Sequence, residues 1–170
     1  MEEELLKKID EISDEMISGI KRIVQIDSVQ SEAKPGMPFG EGVDKALEEA
    51  LKLARELGFE TENVDHMVGI AKYGTGEDYI GIMGHLDVVP VNEVGWNSDP
   101  FKVVQVNNKL YGRGVADDKG PLLAGYYAAK IIHDLNLPVK KKIRVIFGCD
   151  EERGSSCVAH YFQNNPFPSM

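Results

Sequence analysis

The most constraining feature of this sequence is a short apolar segment near its end. Residues 143–149 read IRVIFGC, with one arginine as the only charged position. A strand without apolar–polar alternation is typical of the interior of a sheet that is covered on both faces. Helical patterns precede this strand over residues 120–135 and follow it over residues 155–163. The sequence therefore predicts an α/β layered fold.

The rest of the chain also alternates between helices and short strands. Apolar residues recur every three or four positions between Leu5 and Ile23 and again over residues 42–57, which predicts two helices. Asn107 and Asn108 separate two short strand-like runs and suggest a hairpin. No stretch has the composition of a linker, so residues 1–170 are predicted to form a single unit. The predicted strands cover residues 68–73, 79–83, 101–106, 109–111 and 143–149.

Charge and composition exclude several classes of protein. The chain has 28 Asp and Glu against 19 Lys and Arg, a formal net charge of −9. An acidic chain without a basic patch is a poor candidate for binding nucleic acid or an anionic membrane. The N-terminus lacks the apolar core of a signal peptide, and no stretch reaches the length of a membrane span. Two cysteines do not make a disulfide framework. These features predict a cytoplasmic globular protein.

The first candidate site directly follows the predicted strand at residues 79–83. His85 and Asp87 are two residues apart, so in extended backbone their side chains point the same way. Asp87 could accept the ring N–H of His85 and leave the other ring nitrogen free for a metal. For an isolated pair of this kind, an ordinary polar turn at the end of a strand is the more common explanation.

Two further acidic segments also have two interpretations each. Glycines bracket Asp117 and Asp118 just before a predicted helix; a divalent metal would relieve the repulsion between the carboxylates, although Asp118 could instead cap the helix. Asp150, Glu151 and Glu152 follow the apolar strand, where uncompensated acids are costly. They could instead supply negative charge to a helix N-terminus.

Taken together, the three segments favour a metal site. His85, Asp117 and Glu152 are 32 and 35 residues apart, and each falls at a chain reversal beside the sheet. A mixed set of imidazole and carboxylate groups suits Zn²⁺, or Mn²⁺ or Co²⁺ in its place. A spare carboxylate next to a ligand is the arrangement that lets a base deprotonate a metal-bound water.

These motifs resemble those of the co-catalytic zinc peptidases and deacylases. That family includes carboxypeptidase G, acetylornithine deacetylase, aminoacylase, carnosinase and PepV-type dipeptidases. Its pattern is His-x-Asp after a strand, then Gly-Arg-Gly-x-x-Asp-x-Lys-Gly, then Glu-Glu after another apolar strand. This sequence has the three parts at residues 85–87, 112–120 and 151–152. The resemblance implies a three-layer catalytic domain with a mixed, mainly parallel central sheet, and a cis peptide bond before Asp118.

The resemblance also implies a role for each site residue. His85 is a ligand of one metal, and Asp87 orients and polarises its ring. Asp117 bridges two zinc ions, and Glu152 is a ligand of the second. Glu151 is the general base. The implied reaction is hydrolysis of a dipeptide, or another small amide, by a metal-bridging water.

The sequence departs from the family pattern in two ways. The family has two more ligands, an Asp and a His, at positions this sequence does not contain, and its lid domain is absent. We therefore expect residues 1–170 to be the N-terminal part of a catalytic domain that binds metal weakly and has little or no activity. We expect His66, His133 and His160 to be surface or helix residues. An N-acyl-amino-acid deacylase, or a non-catalytic fragment that self-associates through an open sheet edge, stays as an alternative.

Overall fold

The computed structural model describes residues 2–92 and 94–168. Its helices and strands follow the predicted order, with one additional strand, β1. The elements are α1 (Glu2–Val24), α2 (Glu41–Glu56), β1 (Glu60–Val64), β2 (Val68–Tyr73), β3 (Tyr79–His85), β4 (Val104–Val106), β5 (Lys109–Tyr111), α3 (Lys119–Asp134), β6 (Lys142–Gly148), a 3₁₀ turn (Glu151–Arg153) and α4 (Ser156–Asn164).

The apolar run forms β6, a central strand of the main sheet. The strand order is β1-β2-β6-β3, and β4 and β5 form a separate hairpin, as the Asn107-Asn108 turn predicted. In β6, Val145, Ile146 and Phe147 are each at most 1% exposed. Burial on both faces explains why this strand lacks alternation.

The sheet is mixed, as predicted, but the expectation that it is mainly parallel is wrong for the described strands. Only β3 runs parallel to β6, whereas β1–β2 and β2–β6 are antiparallel. The short connection of residues 74–78 reverses the chain between β2 and β3. Because β6 lies between these two strands, it can be parallel to only one of them.

Helices cover both faces of the sheet, which gives the predicted three layers. On one face, Leu47 and Leu51 of α2 pack against Gly69, and Gly125 of α3 packs against Ile82. On the other face, Tyr161 of α4 accepts a hydrogen bond from Arg144 of β6. The helix α1 packs on α3 and α2 rather than on the sheet.

The described residues include no membrane-spanning candidate. Among residues 2–92 and 94–168, no helix combines the length and the apolar character that crossing a bilayer requires. Both cysteines are buried free thiols: Cys149 directly follows β6, and Cys157 lies on α4.

Candidate metal centre

The candidate site lies where the two parallel strands of the sheet end. β3 ends at His85, which pairs in register with Gly148 at the end of β6. The 3₁₀ turn that carries Glu151 and Glu152 follows β6 after two residues, and the segment with Asp117 leads into α3. Side chains at the carboxyl ends of neighbouring parallel strands meet at one edge of a sheet. The three segments singled out in the sequence therefore converge.

The convergence is close enough for shared coordination. One ligand atom each from His85, Asp117 and Glu152 lies within 4.8 Å of the other two. His85 Nε2 is 3.1 Å from Asp117 Oδ1 and 3.7 Å from Glu151 Oε2. The imidazole is buried, whereas the Asp117 carboxylate is 76% exposed. A small cation could therefore reach these groups from solvent.

The His85 ring is oriented by Asp87, though chiefly through an atom that the sequence did not indicate. His85 Nδ1 lies 2.9 Å from the backbone carbonyl oxygen of Asp87 and 3.4 Å from its carboxylate Oδ1. A carbonyl oxygen can only accept, so Nδ1 carries the proton. Nε2 then faces Asp117, to which it donates a hydrogen bond while it is protonated, and loss of that proton would free its lone pair for a metal.

The Asp87 carboxylate has a second task. It is fully buried, and its two oxygens accept hydrogen bonds from the backbone N–H groups of Glu151, at 3.1 Å, and Glu152, at 3.0 Å. One side chain therefore fixes the 3₁₀ turn relative to the His85 ring. Sequence reasoning gave Asp87 a role toward His85 alone.

The electrostatics of the cluster favour an added cation. Burial lowers the pKa of His85, but hydrogen bonds to Asp87 and Asp117 outweigh burial and raise the pKa to about 9. Burial raises the pKa of Glu152, and the charges of Asp117, Asp87 and Glu151 raise it further, against the opposing effect of His85. The cluster thus holds excess negative charge that a proton on His85 partly balances. A divalent cation would balance it more fully, so the donor set fits a metal.

The interpretation of Asp118 as a helix cap is wrong. Asp118 occupies the N-cap position of α3, yet its side chain makes no capping hydrogen bond. Its Oδ2 instead accepts the backbone N–H of His85, at 3.2 Å. The peptide bond between Asp117 and Asp118 is cis, as the resemblance implied. The adjacent carboxylates therefore both face His85, one at its ring and one at its backbone.

Asp150, Glu151 and Glu152 form the third acidic segment, and they differ in role. One serves a helix N-terminus and two belong to the candidate metal site, so each interpretation of the segment holds for part of it. Asp150 accepts hydrogen bonds from the backbone N–H groups of Ser156 and Cys157, both at 2.9 Å, and from the Ser156 hydroxyl. Asp150 thus serves the N-terminus of α4. Glu151 and Glu152 face the cluster instead.

A pocket of about 390 Å³ opens beside the cluster. Its apolar side includes Met83 and Val158, which sequence reasoning missed because neither side chain carries reactive chemistry. The period of two along β3 could have identified Met83, since it shares a face with His85. The lining residues are Met83, Gly84, His85, Asp117, Asp118, Gly148, Glu151, Ser155, Cys157 and Val158.

The remaining histidines lie outside the cluster, as expected. His66 contacts Asp44 at 2.7 Å, and His160 contacts Asp65 at 2.8 Å. His133 on α3 stacks on Phe59. Among the residues whose structure is described, His85, Asp117 and Glu152 form the only group of three or more potential metal ligands.

The fold and this cluster together define a candidate metal-dependent enzyme of the α/β class. The chain belongs to Peptidase family M20/M25/M40, whose profile matches residues 81–167, from β3 to the segment after α4. This match includes all three converging segments. The resemblance to the zinc peptidases is therefore confirmed at the level of the family.

Individual relatives agree with the family assignment. The chain is 45% identical, over 159 residues, to a Bacillus subtilis protein named "Putative dipeptidase YtjP", covering 92% of this chain and 34% of that protein. Human carnosine dipeptidase 1 has a similar structure, with a TM-score of 0.80 and 28% identity over 95% of this chain and 37% of that one. The yeast dipeptidase Dug1p, with a TM-score of 0.79 over 94% of this chain and 37% of that one, is 23% identical and supports the fold alone. The chain spans about a third of the length of the curated relatives it matches.

Proposed function

We propose that this chain forms part of the catalytic domain of a zinc-dependent dipeptidase. The observation that carries the proposal is the convergence of His85, Asp117 and Glu152 within 4.8 Å. The names of the relatives, "dipeptidase" and "carnosine dipeptidase 1", support a dipeptide as substrate over an N-acyl amino acid. The family assignment supports hydrolysis of peptide bonds.

In this proposal, His85, Asp117 and Glu152 would hold the metal. The donor set, one imidazole nitrogen and two carboxylates, is typical of zinc; Mn²⁺ and Co²⁺ accept the same donors. When bound, the ions supply Lewis acidity, which polarises the amide carbonyl and lowers the pKa of water.

Glu151 is the general base in the proposed reaction. Its Oε2 lies 3.7 Å from His85 Nε2, and the side chain is 55% exposed, so it can reach both water and substrate. Glu151 takes a proton from the attacking water and delivers it to the leaving amine. Asp87 acts indirectly, since it holds the backbone N–H of Glu151 and the ring of His85.

Binding of Co²⁺ to the 170-residue chain tests the metal site. Co²⁺ absorbs visible light when it has protein ligands, so a titration gives both the affinity and the ligand environment. We expect weak binding by the parent chain and none by His85→Ala. The matched control is His66→Ala, which removes another histidine that contacts an aspartate. A parent chain that does not bind Co²⁺, or equal binding by His85→Ala, would refute the metal site.

The substrate class is tested on the Co²⁺-loaded chain. A dipeptide should alter the Co²⁺ spectrum at lower concentration than the matching N-acetyl amino acid. The reverse order would favour the deacylase alternative. Sedimentation over a range of concentrations tests the self-association alternative, for which the exposed Ile80 and Met83 of edge strand β3 give a surface.

A further inference from the structure

Lys119 is a fully buried lysine at the first position of α3. Its Nζ donates hydrogen bonds to the carbonyl oxygens of Ile23, at 3.2 Å, and Ile26, at 2.8 Å. These carbonyls lie at and just beyond the C-terminus of α1, where helix carbonyls lack partners within the helix and carry partial negative charge. Burying an ammonium group is costly unless it is hydrogen-bonded. Lys119 therefore connects the end of α1 to the start of α3.

The loop before α3 is built around the Lys119 side chain. A Cβ atom at Gly114 would lie 3.0 Å from Lys119 Cδ, and Gly114 has a φ of +90°. The N–H of Gly120 donates to the Gly114 carbonyl at 3.1 Å, which closes the loop over the lysine stem. A Cβ atom at Gly120 would lie 2.0 Å from the Val115 carbonyl oxygen. The loop therefore packs closely around the Lys119 side chain, and it has no room for a Cβ atom at Gly114 or Gly120.

This loop carries Asp117 and Asp118. The Asp117 carboxylate is 76% exposed, so packing around its own side chain does not fix it. Its position depends on the backbone that leads into Lys119. The Asp118 carboxylate, one residue nearer, holds the backbone N–H of His85.

We infer that Lys119 is a positioning residue: by anchoring the loop to the end of α1, its side chain holds Asp117 and Asp118 against His85. The consequence for metal binding rests on the proposed function. The placement of Asp118 against His85 does not, because it involves protein groups alone.

The test compares Lys119→Met with Lys130→Met in the metal-free chain. Methionine keeps an unbranched stem and removes the charge, and Lys130 is a second lysine of α3, 8% exposed and paired with Asp134. Amide hydrogen exchange is followed by NMR at His85, whose N–H is held by Asp118, and at Leu86, whose N–H donates to Gly148 in the sheet. In Lys119→Met, exchange should rise about tenfold at His85 and not at Leu86. Lys130→Met should leave the ratio of the two rates unchanged.

Co²⁺ titration of the same variants provides the second measurement. Lys119→Met should weaken Co²⁺ binding about 10–100-fold, the range for residues that orient ligands, and Lys130→Met should not. If Lys119→Met does not fold, Lys119→Gln replaces it, because glutamine keeps an unbranched stem and removes the charge without changing the loop backbone.

Each outcome decides the inference. Unchanged protection of His85 in the variant would overturn it, as would an equal loss at His85 and Leu86, which indicates a general loss of stability. Selective loss at His85 supports the positioning role. If the parent chain also fails to bind Co²⁺, that selective loss still supports the role of Lys119, while the proposed metal site is refuted.

Discussion

Replacing Asp87 with asparagine tests the central hydrogen bonds of the site with almost no change of shape. The buried carboxylate accepts two backbone N–H groups, from Glu151 and Glu152. An asparagine oxygen can accept one of them, but its NH₂ group then faces the other donor. One hydrogen bond to a charged acceptor is lost and a backbone N–H is left unpaired, which costs about 1.5–3 kcal/mol. Removing a buried charge offsets part of this cost.

We therefore expect Asp87→Asn to lower the free energy of unfolding by about 2 kcal/mol. Urea denaturation followed by circular dichroism measures this change, and the m-value should stay constant because the same surface is exposed on unfolding. Asp65→Asn is the matched control, because the Asp65 side chain is 72% exposed and its one described ion pair is with His160. Its effect should stay within about 0.5 kcal/mol. An equally small effect of Asp87→Asn would show that the two N–H contacts do not hold the turn.

Three other outcomes follow from the same geometry. Gly84→Ala should destabilise the chain by about 1–3 kcal/mol in urea denaturation, because its Cβ would lie 2.1 Å from Asp118 Oδ2; a neutral effect would contradict the close approach. Asp150→Ala should cost about 1–2 kcal/mol and reduce helical circular dichroism, because the N-terminus of α4 loses its acceptor; unchanged helicity would contradict this role. In an NMR titration of the metal-free chain, His85 should titrate near its raised pKa of about 9. The contribution of its protonation to the free energy of unfolding should be complete below pH about 6.5 and lost as the pH rises through about 9. A measured pKa near 6.5 would contradict the hydrogen bonds to Asp87 and Asp117.

The parts of the fold that could be predicted are those with a strong periodic signal. The apolar run of β6 and the helical stripes of α2 and α3 each bury a continuous face, so burial and sequence pattern agree. The stripe of α1 is buried only from Ile12 onward, and Ile9 is exposed. β1 was missed because Glu60 and Glu62 are polar residues of an edge strand. The expectation of a mainly parallel sheet was wrong because strand direction depends on which strand lies between β2 and β3. The order of strands in a sheet leaves no local pattern in the sequence.

The candidate site was predictable where its chemistry is carried by side chains. His85, Asp117 and Glu152 are reactive residue types at chain reversals, and the structure brings them together. The supporting contacts were not predictable, because they involve backbone atoms: the Asp87 carbonyl at the His85 ring, and the His85 N–H at Asp118. Asp150 could not be separated from Glu151 without knowing where α4 begins.

The wide separation of the three candidate ligands along the chain has a thermodynamic consequence. His85, Asp117 and Glu152 come from different elements and meet only after the sheet and α3 have formed. A disordered chain cannot present them together, so any cation that binds them binds the native state alone and adds its binding free energy to conformational stability. The melting temperature of this chain should therefore rise with the cation concentration of the buffer, so a melting curve reports how much of the site is occupied.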